Sequence, residues 1–364
     1  MPFYAHSLSS TDKADWHRLD DHLKTVANLA GDRASPFQAE DWARAAGLLH
    51  DLGKYAQAFQ VKLEGADNRV DHSTIGAHIA QQKYGLQGAL LAYIVAGHHA
   101  GLANWSGDGP PTPLDVRLAS GRISELPVID RCWQAEIGSK LPGDLSEPAP
   151  LNGFKKDRQG FAAALFTRML FSTLVDADRL DTEAFYLVAE GAPSGRGNWS
   201  ADLVSLKRHL DAYLDTLLQQ ARAKGGDVNA ARAEILANAR RMAGEPPGLF
   251  SLTVPTGGGK TLASLAFALD HAAHHGHRRI IYVIPFTSII EQTAAVMRAA
   301  RAPHADCVLD HHRAARAPDR HWHESARQSG LRARRSTENW DASVIVTTAV
   351  QFFESLFANR TSPC

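Results

Sequence analysis

The sequence predicts a multidomain chain: an all-α helical bundle over residues 1–195, a helical connector over 196–247, and an α/β domain over 248–364. Three observations carry this reading. Apolar residues recur with the 3.6-residue period of amphipathic helices through the first half, where β-branched runs are scarce. From Leu249 onward the short β-rich runs LFSLTVP, RRIIYVIPF and ASVIVTTAV alternate with helical segments, as in a parallel sheet. At 364 residues and 44% hydrophobic content, the chain also exceeds what one core usually covers.

In order along the chain, helical faces are expected in WARAAGLLHDLGKYAQAF (42–59), ALLAYIVAGHH (89–99) and FAAALFTRMLFSTLVDADRL (161–180). The Pro- and Gly-rich stretches GDGPPTP and SEPAPLNG separate these helices, and EGAPSGRGNWS (190–200) marks the first domain boundary. Residues 201–224 and 228–243 then read as two connecting helices, which GEPPG ends.

Lys plus Arg and Asp plus Glu number 39 each, so no global charge excess points to a nucleic-acid partner and any basic surface must be local. The three cysteines, Cys132, Cys307 and Cys364, show no C-x-x-C spacing, which argues against a disulfide framework or a thiolate metal site and fits a reducing cytoplasm. MPFYAHSLSS lacks the build of an export leader, and no run of eighteen apolar residues predicts a membrane span.

The stretch GLLHDLGK (47–54) sets His50 and Asp51 inside an apolar helical pattern. Burying an imidazole and a carboxylate there is costly unless something pairs with them, and a metal is one such partner. Neighbouring helix residues diverge by about 100°, so an Asp beside a liganding His suits a carboxylate that reaches toward a second ion. A lone His-Asp pair would be read as a local cap or ion pair, but His22, His72, His98, His99 and Asp178 also lie at or near apolar helical segments. Nitrogen and oxygen ligands without thiolates suit a dinuclear iron, manganese, nickel or cobalt site.

This order, His, His-Asp with a following Lys, His, His-His, Asp, resembles the HD-domain metallophosphohydrolases, and in particular the HD nuclease of CRISPR type I helicase-nucleases. The resemblance implies two divalent transition-metal ions sharing Asp51: one with His22, His50 and Asp178, the other with His72, His98 and His99. Asp178 is preferred over Asp176 and Asp181 in the same segment. The two ions would activate water against a phosphodiester without a protein nucleophile. Lys54 is read either as support for phosphate charge or a metal-bound water, or as an exposed helix lysine; His78 is read as packing or surface.

LTVPTGGGKT (252–261) follows a strand-like run and precedes a helical one, the setting of a phosphate-binding loop. Thr256, Gly257, Gly258, Gly259, Lys260 and Thr261 would cradle ATP, with Lys260 on the phosphates and Thr261 on magnesium. Val254 stands where the strict motif has glycine, and this departure resembles the helicase form of the loop. YVIPFTSIIEQTA and VIVTTAVQFFESLFANR resemble DNA-contacting segments of superfamily 2 helicases, closest to subtype I-C members. Between them, residues 298–335 hold nine arginines against four acids. DHH at 310–312 is discounted as a phosphoesterase motif, with His311 and His312 left as loop or surface residues.

The resemblance therefore implies an HD nuclease joined to a RecA-like helicase domain that stops before its acidic Walker B strand. The implied substrate and partners are single-stranded DNA and a guide-RNA CRISPR surveillance complex, and the intact enzyme would move 3′ to 5′ on ATP. Turnover of ATP by this chain is not expected. The rival readings are an HD nucleotide phosphohydrolase with a closed pocket and a non-catalytic fragment that docks on the surveillance complex.

Overall fold

The computed structural model describes all residues except 1, 11, 109, 147, 149–150, 152–154, 193–201, 286, 301–307, 312–339, 341 and 358–364. It divides into two compact units, one built on Met1–Ser194 and the other on Gly195–Leu356.

In the first unit a small antiparallel pair, β1 (Tyr4–His6) and β2 (His17–Arg18), leads into α1 (Leu19–Ala34). Helix α1 buries Leu19, Leu23, Val26, Ala27, Ala30 and Ala34, a three-and-four spacing that makes one apolar stripe. It lies on α2 (Glu40–Leu49), whose Ala43, Ala45, Ala46 and Gly47 keep the seam small enough for the two backbones to approach closely. A Cβ on Gly47 would run into the backbone of Ala27.

The helix expected over 42–59 does not run through. Helix α2 ends at Leu49, His50 caps it, and Asp51 leaves helical geometry at φ −113°, ψ 21°. A 3-10 turn over Leu52–Tyr55 and α3 (Gln57–Leu63) follow. The backbone of Gly53 is clamped against that of His72, donating its N–H to the His72 carbonyl at 2.9 Å, which interrupts the apolar period at this point.

Helix α4 (Thr74–Gly97) bends at Gly85, whose φ of 57° and ψ of −124° suit glycine alone. Short helices α5 (Leu114–Leu118), α6 (Ser120–Ser124) and α7 (Cys132–Glu136) cover one side, and α8 (Gln159–Ala189) completes the bundle against α1, α2 and α4. By length and composition α8 passes for a membrane-crossing helix. Its Phe166, Leu170, Phe171, Leu174 and Ala177 instead lie in the bundle core with Leu23, Trp42, Leu49, Leu91 and Ile94.

In the second unit α9 (Leu203–Lys224) and α10 (Asp227–Met242) precede α11 (Lys260–His275). The first two had been expected as a connector. Their Leu206, Leu210, Leu214 and Leu236 share one core with Leu265 and Leu269 of α11 and with the sheet. That sheet is parallel throughout, in the order β3 (Ile280–Ile284), β5 (Val344–Thr348), β4 (Val308–His311). Helix α12 (Thr287–Ala299) follows β3, and α13 (Ala349–Leu356) follows β5.

The run LFSLTVP is not a strand. Residues 249–255 pair with no strand among the described residues, Leu249 is fully exposed and Leu252 is 41% exposed. A β-rich run without a neighbouring edge to bond remains irregular. Most of the arginine-rich stretch 298–335 and His312 lie outside the described residues; His311 ends β4.

Candidate metal centre

Asp51 is the centre of the first unit's polar cluster, at 1% exposure. Its two oxygens face different histidines. Oδ2 lies 3.5 Å from His22 Nε2 and 3.4 Å from His50 Nε2; Oδ1 lies 3.5 Å from His72 Nε2 and 3.3 Å from His98 Nε2. Asp178 of α8 adds an oxygen 3.5 Å from His22 Nε2 and 3.7 Å from His50 Nε2. His99 brings its ring to 4.0 Å from that of His98 and 4.9 Å from that of His72. Asp51, His72, His98 and His99 offer ligand atoms within 4.8 Å of one another, as do His22, His50 and Asp51, and also His50, His98 and Asp178. The seven residues expected as ligands are thus brought together around one carboxylate.

Each of four rings is turned the same way. Nδ1 of His50 donates to Gly47 O at 2.8 Å, Nδ1 of His98 to Val95 O at 2.7 Å and Nδ1 of His72 to Val70 O at 3.3 Å, while Nδ1 of His22 meets Asp181 Oδ2 at 2.6 Å. A carbonyl can only accept, so in the first three the proton sits on Nδ1 and the Nε2 lone pair points inward. That is the tautomer of a metal-liganding histidine held by an outer partner. The inward atoms, Nε2 of His22, His50, His72 and His98 and Oδ1 of Asp51, are buried without a hydrogen-bond partner. Five such atoms in one place would be expensive to bury unless cations complete them. The donor set fits two divalent cations.

Electrostatics reinforce the arrangement. Burial opposes ionisation of Asp51, but the nearby Lys54 charge and the surrounding histidines hold it well below the usual carboxylate range. Asp178 is lowered too, its burial outweighed by His50. Burial, only partly offset by the Asp51 charge, pushes His72 down to about 4; burial and the neighbouring His98 push His99 down to about 3. Burial also works against a charge on His22, yet its hydrogen bond with Asp181 and the neighbouring Asp51 carboxylate raise it above the ordinary histidine value.

Lys54 is not the exposed lysine of the bland reading. It is 5% exposed, donating to Asp51 Oδ2 at 2.6 Å and to Ala5 O at 3.2 Å. Asp176 points elsewhere and pairs with Arg33. His78 is half-buried on α4, outside the cluster. Asp181 had not been assigned a role, although its spacing of three from Asp178 puts both on one helix face and signals it. His6 and His17, in the β-pair, also pack on His22, with ring centroids 5.1 and 5.3 Å away. No spacing rule would have found them, because strand pairing brings them there.

In the second unit the loop before α11 is tightly wound. Gly257 and Gly259 have φ of 83° and 85°, and a Cβ on Gly258 would meet the Val254 side chain. The loop ends at the N-terminus of α11, with Gly259 in the capping position. Arg232 of α10 donates to Gly257 O at 2.8 Å, and Lys260 Nζ donates to Val254 O at 2.8 Å. Thr256, Gly257, Gly259 and Lys260 are exposed, Gly258 and Thr261 half-buried.

Residues 19–120 match the HD domain family. The match takes in every cluster residue except those on β1, β2 and α8. No curated protein matches the chain. Among solved structures, T. fusca Cas3 with ADP is similar at a TM-score of 0.55 and 18% identity, over 95% of this chain and 43% of that one. Cas3 from the same organism with ATP, and Cas3 alone, are each similar at a TM-score of 0.54 and 15% identity, over 98% of this chain and 45% of the other. At such identities the likeness is one of fold, and the chain spans less than half the length of those structures.

Proposed function

We propose that the first unit is a dinuclear metal-dependent nuclease that cuts single-stranded DNA, carried with a RecA-like, ATP-binding superfamily 2 helicase domain in a CRISPR type I enzyme. The observation that carries the reading is the division of the Asp51 carboxylate, one oxygen toward His22 and His50 and the other toward His72 and His98. His22, His50, Asp51 and Asp178 would hold one divalent cation, and Asp51, His72, His98 and His99 the other. When bound, such a pair supplies positive charge to a phosphodiester and acidity to water.

The chain's own residues prepare that chemistry. His72 and His99 stay neutral at physiological pH, so their nitrogens remain donors. Asp181 and the carbonyls of Gly47, Val70 and Val95 fix the rings. Lys54 holds the shared carboxylate ionised and oriented. The converging histidine and aspartate atoms would be taken up as cation ligands, which leaves water as the nucleophile.

The fold likeness to Cas3 and the helicase-like sequence segments support a place on the displaced strand of a guide-RNA surveillance complex, within the cytoplasm. The kinship to subtype I-C and the 3′ to 5′ movement of the intact enzyme belong to the same reading, as does ATP with magnesium at Thr256–Thr261.

The test is cleavage of circular single-stranded DNA by the full chain without ATP, with manganese, cobalt, nickel or iron against magnesium and chelator. We expect nicking with transition metals that Asp51→Ala abolishes. Hydrolysis of free deoxynucleotides in preference to DNA would turn the reading to a nucleotide phosphohydrolase. Inertness toward both, with capture by the surveillance complex that survives chelation, would turn it to a docking fragment.

A further inference from the structure

A pocket of about 590 Å³ opens beside His72 and His99, and it is far larger than two cations need. Pro111 and Val116 give its lining an apolar part and Arg122 gives it positive charge, while the charge of Arg117 is met by Asp71 of the same lining at 3.6 Å. The two arginines differ. Arg117 is largely buried and fully engaged, donating to Ser73 Oγ at 2.8 Å, Thr74 Oγ1 at 3.0 Å and Ala96 O at 2.6 Å, so it is a fixed wall. Arg122 is exposed, and its pair with Glu125, at 3.0 Å between two exposed side chains, is of the weak surface kind that an incoming anion can replace.

An apolar wall, an exposed cationic rim and a metal-liganding edge match the parts of a nucleotide in a strand: a base face, a neighbouring phosphate and the bond to be cut. We infer that this pocket receives the unstacked base of the nucleotide next to the cut bond, with Arg122 holding a flanking phosphate. The inference rests on the proposed nuclease reading and names how it selects its substrate. A paired base enters only after unpairing and flipping, which costs a few kcal/mol, so the pocket favours single strands. Exposure of Val116 and Arg122 at its edge fits a strand passing through better than an enclosed mononucleotide.

The experiment measures binding, so that it does not depend on cutting. Fluorescence anisotropy on the manganese-loaded full chain compares a short phosphorothioate oligothymidylate with an abasic phosphorothioate strand of equal length, and thymidine monophosphate serves as competitor. Val116 is 51% exposed, so Val116→Trp fills the pocket without disturbing the core. It should weaken the oligothymidylate about tenfold or more and the abasic strand less than about twofold. Arg122→Glu should weaken both strands and reduce the salt slope by about one phosphate's worth. Equal effects of Val116→Trp on the two strands, no effect on either, or monophosphate binding as tight as the strand would overturn the inference. Absence of cutting alongside the expected binding would count against the nuclease reading and leave the pocket standing.

Discussion

Asp181 Oδ2 lies 2.6 Å from His22 Nδ1, on the far side of the ring from Asp51 and Asp178. The carboxylate therefore fixes which nitrogen of His22 faces the cluster and raises the basicity of that ring. Removing it as Asp181→Ala should weaken the cation held by His22 about 10- to 100-fold, the usual cost of losing an outer partner. Asp181→Asn, which can still accept from Nδ1, should lose less. Manganese titration followed by electron paramagnetic resonance reads both, and equal affinities for Asp181→Ala and the wild type would remove the assigned role.

Lys54 sits within 2.6 Å of a carboxylate that is itself buried. Replacing it with Met leaves the Asp51 charge with one positive neighbour fewer, and breaking a buried pair in this way costs about 3–5 kcal/mol. The loss should be large in chelated protein and much smaller once cations are bound, because they supply the missing charge. Urea denaturation with and without manganese measures the two values; a metal-independent loss would mean that Lys54 acts only through packing.

Gly76 packs so closely that a Cβ would run into the carbonyl oxygen of Leu49, the residue before His50. Gly76→Ala should therefore push α4 away from the end of α2, destabilise the unit by about 1–3 kcal/mol and lower metal occupancy. Thermal unfolding and metal analysis on the same sample check this; full stability with full metal content would contradict it.

How much of this arrangement could be read from the residues varies with the interaction involved. The polar cluster was readable because His22, His50, Asp51, His72, His98, His99 and Asp178 stand out chemically in or beside apolar helical surroundings. The break at Asp51 was not, since the apolar pattern continues across it and only the Gly53–His72 backbone contact, between segments far apart in a helix reading, ends the helix. Strands β3 and β5 were visible as β-rich runs, whereas LFSLTVP has a similar composition and pairs with no edge among the described residues. Asp181 had a usable signal in its spacing from Asp178; His6 and His17 depended on strand pairing. The packing of α9 and α10 into the second core was hidden because their apolar stripe does not say which surface covers it.

Acidification should weaken the chelated protein. His72, lowered to about 4 in the folded state from 6.5, binds its proton in the unfolded chain first. Between about pH 6.5 and 4 the unfolded state thus holds more protons, and stability falls as pH falls. His99, lowered to about 3, acts in the same direction, while His22, raised above its ordinary value, opposes them by favouring the folded state below neutrality. His6 and His17, lowered by burial to about 2 and about 4, act with His72 and His99, so with four lowered histidines against one raised the net expectation is a lower urea midpoint at pH 5 than at pH 7.5. A midpoint that rises on acidification would contradict the neutral state assigned to His72 and His99.

The central claim is that one carboxylate serves two cations, and metal stoichiometry tests it most directly. The full chain, dialysed against manganese and measured by inductively coupled plasma mass spectrometry, should retain two equivalents. Asp178→Ala should retain one, held by Asp51, His72, His98 and His99, and a folded Asp51→Ala should retain neither tightly. An Asp51→Ala protein that keeps both equivalents would contradict the account.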